Sequence, residues 1–501
     1  MKLENTVKDF KEYLAKIQHY NGIAALLSFY ATSYAPPGAA ETLAKRMGFV
    51  SGEMFAMVIS PQMKNFLDEL TPNLDKVDEI TAAMYRVCKR NYDKNANIPV
   101  EKIVAFKELT AKSHNVWEKA RKENDFATFA PYLKDVIAAQ KDMLNYKPST
   151  GNPLESLMDD YYEGLTTEFC DDFFTKLRDS IVLLLQKVSD SPKKTDHSWR
   201  FAPVPLDKQK EISVFIADKI GFDLNCGIVA QSAHPYCNSS NKYDVRLTTR
   251  YFEKDFLASF FAVLHECGHG IYEQNTRDSI GDTVLDRGLS SVHESQSRFY
   301  ENYVGRSPQF WEYMTEPLKA YLPQEFSGIT SDMFYRGVNV VEPSLIRVEA
   351  DELTYSLHII LRYEMEKLLF DGDVDIKELP QIWNQKTKDY LGLTPPNDSD
   401  GIMQDVHWSE GLMGYFPTYT LGSAYSAQLL NSMEKEMDVF DLVKKGDFAP
   451  LTKWMTDKIH NFGSLLPTEE LLTQATGGST IDIKYYIDYL EEKFSQIYEL
   501  R

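Results

Sequence analysis

Apolar residues recur at helical spacing over most of this chain, which restricts it to a predominantly α fold. In the first 190 residues the segments Val7 to Ile17, Ala39 to Ile59, Lys76 to Tyr92, Val100 to Lys122, Phe129 to Leu144 and Asp171 to Val188 carry that period. Breaks fall at Pro36-Pro37-Gly38, Pro61, Pro99 and Gly151-Asn152-Pro153, where ring and glycine stop a helix. The later segments Leu289 to Val304, Pro343 to Phe370, Ile376 to Tyr390, Thr418 to Met433 and Ile481 to Tyr498 read the same way. Between Leu224 and Tyr251 the texture changes. Gly227 to Ala230 and Asp244 to Arg250 read as strands, with Cys237 to Asn241 as a turn or loop between them. The expected class is mostly α, with a small β-sheet beside the helix that begins near Phe260. Ser189 to Asp196, followed by Pro203 and Pro205, is the best linker candidate, but the expectation is one domain over 1–501.

Composition narrows function mainly by exclusion. With 54 basic and 74 acidic residues the net charge is −20, which disfavours nucleic acid and anionic membrane surfaces as partners. The first residues, Met1-Lys2-Leu3-Glu4-Asn5, lack the apolar run of a secretory signal, and no stretch of about 18 apolar residues predicts a membrane span. Cys88, Cys170, Cys226, Cys237 and Cys267 are odd in number and scattered, the pattern of reduced thiols in a cytoplasmic protein.

The chemistry-bearing stretch is His265-Glu266-Cys267-Gly268-His269, an H-E-x-x-H. On a helix His265 and His269 share one face about one turn apart, so both imidazoles can reach one ion. Glu266 stands beside the first, where a carboxylate can act as general base on water. Cys267 points away from that face and reads as packing. Three protein ligands make a catalytic zinc site, so a third has to come from elsewhere. Glu273 lies in line on the same helix and cannot close around an ion. Glu294, 25 residues past His269 on a new helix, is the better candidate. His293 faces roughly 100° away from Glu294. It reads equally as a partner behind a ligand or as a packed or surface histidine.

Six short patterns in order make the chain resemble the carboxypeptidase Taq family of zinc metallocarboxypeptidases. They are His234-Pro235-Tyr236, Asp244-Val245-Arg246-Leu247-Thr248, His265-Glu266-Cys267-Gly268-His269, His293-Glu294-Ser295-Gln296, Ile346-Arg347-Val348-Glu349-Ala350-Asp351 and Gly401-Ile402-Met403-Gln404-Asp405-Val406-His407-Trp408. The family's first pattern usually ends in Phe, where this chain has Tyr236. The resemblance implies His265, His269 and Glu294 as ligands of Zn2+ (Co2+ or Mn2+ as substitutes) and Glu266 as general base. It implies a helical fold with a long deep groove, catalytic motifs spanning 234–422, peptide substrates shortened one residue at a time from the C-terminus, and a homodimer. His234 and Arg246 enter as substrate-binding candidates through the first two patterns.

Two further sites carry a physical reading. Within the Pro343 to Phe370 segment Arg347, Asp351 and His358 fall on one helical stripe. Arg347 reads either as paired with Asp351 four residues on, or as the cation that receives a substrate's terminal carboxylate, with Arg246 and Arg250 as competitors. Farther on, His407, Tyr415 and Tyr419 are candidate neutral donors to a developing oxyanion, with glycines at 411 and 414 that allow close approach. Two rival functions stand beside this reading: a helical zinc oligopeptidase that cuts inside peptides, and a catalytically silent peptide-binding scaffold.

Overall fold

The computed structural model describes residues 2–148, 151–288, 290–372 and 374–500. It is predominantly helical, and among the described residues the strands form one three-stranded sheet. The chain divides into two compact units, each assembled from three separate segments. The first comprises Met1–Tyr92, Thr195–Val338 and Tyr425–Ile481; the second comprises Asp93–Lys194, Asn339–Ala424 and Asp482–Arg501. One boundary falls inside the Ser189–Asp196 stretch, after the helix Thr167–Asp190 has ended. The first 190 residues thus contribute to both units. No described helix is long and apolar enough to cross a membrane.

In the first unit the helices Lys2–Ser33, Ala40–Val58 and Pro61–Leu70 bury Phe10, Leu14, Ile17, Met63 and Leu67 in a common core. Burying each such side chain contributes about 1.5–3 kcal/mol. The sheet consists of β1 (Gly227–Gln231), β2 (Tyr236–Asn241) and β3 (Asp244–Thr249), in the order β1-β3-β2. β3 pairs parallel with β1 and antiparallel with β2.

The expected loop at Cys237–Asn241 is therefore a strand. Polar side chains disguised it, because their needs are met by β3 and by the helix Phe256–Gln274 behind the sheet. The Tyr236 backbone N–H donates to Thr248 Oγ1 at 3.0 Å, and Ser239 Oγ donates to Glu273 Oε2 at 3.0 Å. As the central strand, β3 is buried from Val245 to Thr249, so its polar alternate positions face protein as well.

Helix α1 (Phe256–Gln274) starts at Asp255, whose side chain accepts from the Ala258 backbone N–H at 3.3 Å. It is buried almost all round, with Phe256, Leu257, Phe260, Val263, Leu264 and Ile271 in the core. The partly exposed positions Ala258, Ala262, His265 and His269 form one stripe at four-, three- and four-residue spacing. Small alanines precede the histidines on that stripe. α1 is followed by α2 (Ser290–Arg298) and a π-helical turn, Phe299–Val304. The segment expected to be helical from Leu289 is so from Ser290; Leu289 lies outside the described residues.

The second unit packs Val100–Glu123, Phe126–Leu144, Thr167–Asp190 and α3 (Tyr355–Asp371). The helix expected to start near Pro343 starts twelve residues later, and Arg347 sits in a short 3-10 turn, Arg347–Glu349. Tertiary hydrogen bonds hold the preceding backbone extended. The Arg347 N–H donates to Gln404 Oε1 at 2.9 Å, and Gln404 Nε2 donates to the Leu345 carbonyl at 3.0 Å. The stripe joining Arg347, Asp351 and His358 therefore does not exist. α4 (Pro417–Glu434) contributes residues to both units.

Candidate active site

Two glycines determine how the H-E-x-x-H helix packs. A Cβ at Gly268 would lie 2.4 Å from the Gln296 carbonyl oxygen and 2.5 Å from the Ser297 Cα, so α1 and α2 meet backbone to backbone there. A Cβ at Gly270 would lie 2.7 Å from Phe222 and 2.9 Å from Leu247, on the side toward the sheet. Gly268→Ala is expected to cost about 1–3 kcal/mol by overpacking. It should also weaken metal retention, because α2 carries Glu294; thermal melts with metal analysis of the dialysed variant check both.

That close approach brings three donors together. His265 Nε2 lies 3.7 Å and His269 Nε2 3.6 Å from Glu294 Oε2, and all three donor atoms fall within 4.8 Å of one another. The two imidazole planes are 82° apart. The other oxygen of Glu294 accepts from Arg298 Nε at 2.7 Å, which leaves Oε2 toward the histidines. Glu273 is not in the group, and Cys267 is fully buried away from it.

Behind the donors stand partners: Glu301 and Arg298, for which no expectation arose from the sequence, and His293, which takes the first of its two expected readings. His265 Nδ1 lies 2.8 Å from Glu301 Oε2, and Arg298 Nη1 donates to the same oxygen at 3.1 Å. Glu301 belongs to the π-helical turn, seven residues after Glu294. On the other histidine, His269 Nδ1 lies 2.7 Å from His293 Nδ1.

The electrostatics follow from this crowding. Burial acts against a charged His265, but Glu294 and Glu301 outweigh it and raise its pKa to about 9. Burial, then His293 and His265, hold His269 well below its ordinary value. Burial pushes the Glu266 carboxyl up to about 7, with His265 opposing and Glu294 and Glu301 adding to the rise. Burial opposes ionisation of Glu301, yet Arg298 and His265 bring it down to about 2. Two imidazole nitrogens and one carboxylate oxygen fit a divalent cation such as zinc, cobalt or manganese. A cation held there would take the place of a proton on His265 Nε2.

Other candidates in this unit lie elsewhere on its elements. Arg246 is buried on β3, ion-paired with Asp244 and 5.2 Å from the centre of the Phe29 ring. His234 is exposed, and its carbonyl accepts from Ser232 Oγ at 2.5 Å. The phenol that Tyr236 adds is hydrogen-bonded to the Thr32 hydroxyl. Arg250 is exposed, 4.6 Å from the centre of the Phe252 ring.

The second unit gathers Arg347, His407, Tyr415 and Tyr419. The expected partner Asp351 is occupied elsewhere, accepting from the Thr354 backbone N–H at 3.0 Å and the Glu342 N–H at 3.1 Å. Arg347 instead places Nε and Nη2 each 3.0 Å from Asp405 Oδ1, and Nη1 donates to the Tyr355 hydroxyl at 3.1 Å. Arg362 Nε donates to Asp405 Oδ2 at 2.6 Å. Two buried guanidinium groups thus share one carboxylate. Burial disfavours the Asp405 charge, but Arg362 and Arg347 hold it well below the usual carboxylate range.

Burial lowers the His407 pKa to about 4 against the pull of Asp405, and its Nδ1 is buried without a hydrogen-bond partner among the described residues. The Tyr415 ring lies 6.0 Å from His407 and 5.2 Å from Tyr419. Glu366 ties this segment to α3, accepting from Trp408 Nε1 at 2.9 Å and from the Gly414 N–H at 3.0 Å. Gly411 and Gly414 adopt left-handed backbone, and there they let the chain pack against Phe106 and Leu157.

A helical protein with two histidines and a carboxylate converging from adjoining helices has the site of a metal-dependent hydrolase. The chain belongs to the carboxypeptidase Taq (M32) metallopeptidase family, whose model matches residues 9–494. It is 39% identical over 502 residues to Carboxypeptidase 1 of Bacillus subtilis, covering 100% of both chains. It is 33% identical to Thermostable carboxypeptidase 1 of Thermus thermophilus, with 99% of each covered. Among solved structures, the M32 carboxypeptidase from Deinococcus radiodurans R1 superposes with a TM-score of 0.96 at 31% identity, covering 99% of this chain and 100% of that one. A Pyrococcus furiosus carboxypeptidase structure described as Apo-Mg gives 0.94 at 32%, covering 98% and 99%.

Proposed function

We propose that this protein is a zinc-dependent carboxypeptidase that hydrolyses the last peptide bond of peptides and releases single amino acids. The observation that carries the reading is the convergence of His265 Nε2, His269 Nε2 and Glu294 Oε2 on adjoining helices. A divalent cation held there supplies the Lewis acidity that polarises a peptide carbonyl and acidifies water. Glu266 takes the proton of the attacking water and returns it to the leaving amine. Glu301 and Arg298 fix the rotamers of His265 and Glu294.

Arg347 is assigned the substrate's terminal carboxylate. In support, it and Arg362 share one ion-paired carboxylate, so the pair of guanidinium groups is not fully neutralised by Asp405. Neutral His407, with Tyr415 and Tyr419, is assigned donation to the oxyanion. His234 and Arg246 are retained as substrate-binding residues on the family resemblance. The free state of all five cysteines supports a cytoplasmic location. The homodimer rests on the family resemblance, and a sedimentation-velocity mass of one chain would overturn it.

Metal content measured together with the products from one defined peptide tests the function. One zinc per chain and a ladder losing single C-terminal residues are expected. Internal fragments would convert the reading to an endopeptidase. Neither metal nor products would make the chain a silent scaffold.

A further inference from the structure

His269 is backed differently from His265, and with both imidazoles neutral the contacts admit one proton arrangement. Its Nε2 is the atom facing Glu294, at 3.6 Å. Its Nδ1 faces His293 Nδ1 at 2.7 Å, His293 Nε2 lies 2.7 Å from Glu273 Oε1, and Glu273 Oε2 accepts from Ser239 Oγ on β2 at 3.0 Å. Glu273 is buried, one turn past His269 on α1. The His293 ring is braced by Tyr272, with ring centres 4.9 Å apart.

A neutral imidazole carries its proton on one nitrogen only. A carboxylate accepts and cannot donate, so His293 must present N–H at Nε2 to Glu273. In the neutral ring its Nδ1 is then an acceptor, and His269 carries its proton at Nδ1. That leaves the Nε2 lone pair of His269 free on the donor side. The opposite arrangement would set the bare Nε2 of His293 against a carboxylate and place a proton on His269 Nε2, where it blocks a cation.

We infer that Glu273, acting through His293, is a positioning residue that selects the Nε2-ligating tautomer of His269, a role that on His265 falls to Glu301 directly. The inference rests on the proposed metal site. It extends the chemistry-bearing set from the H-E-x-x-H pair to His269, Glu273 and His293 together, anchored on the sheet by Ser239.

The test is zinc affinity of the full chain, by competition with a chelating indicator, and the visible spectrum of the Co2+-loaded protein. His293→Phe keeps a ring but removes the acceptor, and it should weaken zinc binding about 10- to 100-fold. His293→Gln offers an amide oxygen to His269 Nδ1 and should recover much of that loss. Glu273→Ala should weaken binding as well, and His293→Phe/Glu273→Ala should be no worse than His293→Phe alone, since both act through one nitrogen. A shifted Co2+ spectrum in His293→Phe, restored in His293→Gln, is expected alongside.

Wild-type affinity in His293→Phe and Glu273→Ala would overturn the inference, as would equal losses in His293→Phe and His293→Gln. Melting of the metal-free proteins separates folding from ligation; if His293→Phe does not fold, Glu273→Ala and His293→Gln decide. Failure of the wild-type chain to bind zinc would instead overturn the metal site itself.

Discussion

Glu266→Gln should lower peptide hydrolysis by roughly 10²- to 10⁴-fold while metal content stays at the wild-type level, because it removes the proton acceptor and spares the ligands. The amide is nearly isosteric with the carboxylate, and the side chain is buried, so packing is preserved. What changes is basicity: the carboxyl that burial raises to about 7 becomes a group that cannot take a proton in this range. Both kcat and kcat/KM should fall together, since the lost interaction exists only as the proton moves. Metal analysis and steady-state kinetics on an N-terminally blocked dipeptide with a free C-terminus check the two halves separately. Loss of metal would make Glu266 a structural support of the ligands. Retention of more than about a tenth of the activity would remove it from the role of general base, since such a group contributes at least ~10²-fold.

What could be read from residues alone depended on how local the cause was. Helices with their own apolar period, such as Val100–Glu123, were legible because spacing and breakers act within the segment. The H-E-x-x-H was legible for the same reason, and Glu294 followed from the need for a third donor. The strand at Tyr236–Asn241 was hidden because its polar side chains find their partners on β3 and α1. The extended backbone before Arg347 was hidden because Gln404, 57 positions away, replaces its helical hydrogen bonds. The partners Glu301 and Asp405 were hidden for a related reason. A carboxylate two turns past Glu294 has no local mark that separates it from a solvated one. Asp405 stood inside a quoted pattern, but nothing in that pattern says that two arginines converge on it. Residues that act on substrate come with a chemical demand that can be read in order; residues that hold those residues do not.

Asp405→Asn is expected to be among the most destabilising single substitutions in the second unit, at about 3–5 kcal/mol, because it leaves buried cations without their counter-charge. Arg362 is fully buried and Arg347 is 7% exposed, so water does little to screen either guanidinium. Desolvation is the larger cause acting on Asp405 and opposes its charge, yet the two arginines still carry its pKa below the ordinary carboxylate range. A carboxylate whose folded pKa lies below its unfolded value stabilises the fold above the unfolded value, near ~3.9, and loses that contribution as acid titrates the folded state. The stability gap between wild type and Asp405→Asn should therefore be constant from neutral pH down to about 5, and narrow only in stronger acid. Urea unfolding across that pH series, followed by a probe in the second unit, measures it. Arg362→Met in the Asp405→Asn background should return part of the loss, because it removes one of the two cations left facing each other. A gap under about 1 kcal/mol at neutral pH, the scale of an exposed pair, would mean that solvent screens the arginines and that Asp405 orients Arg347 without holding the unit together.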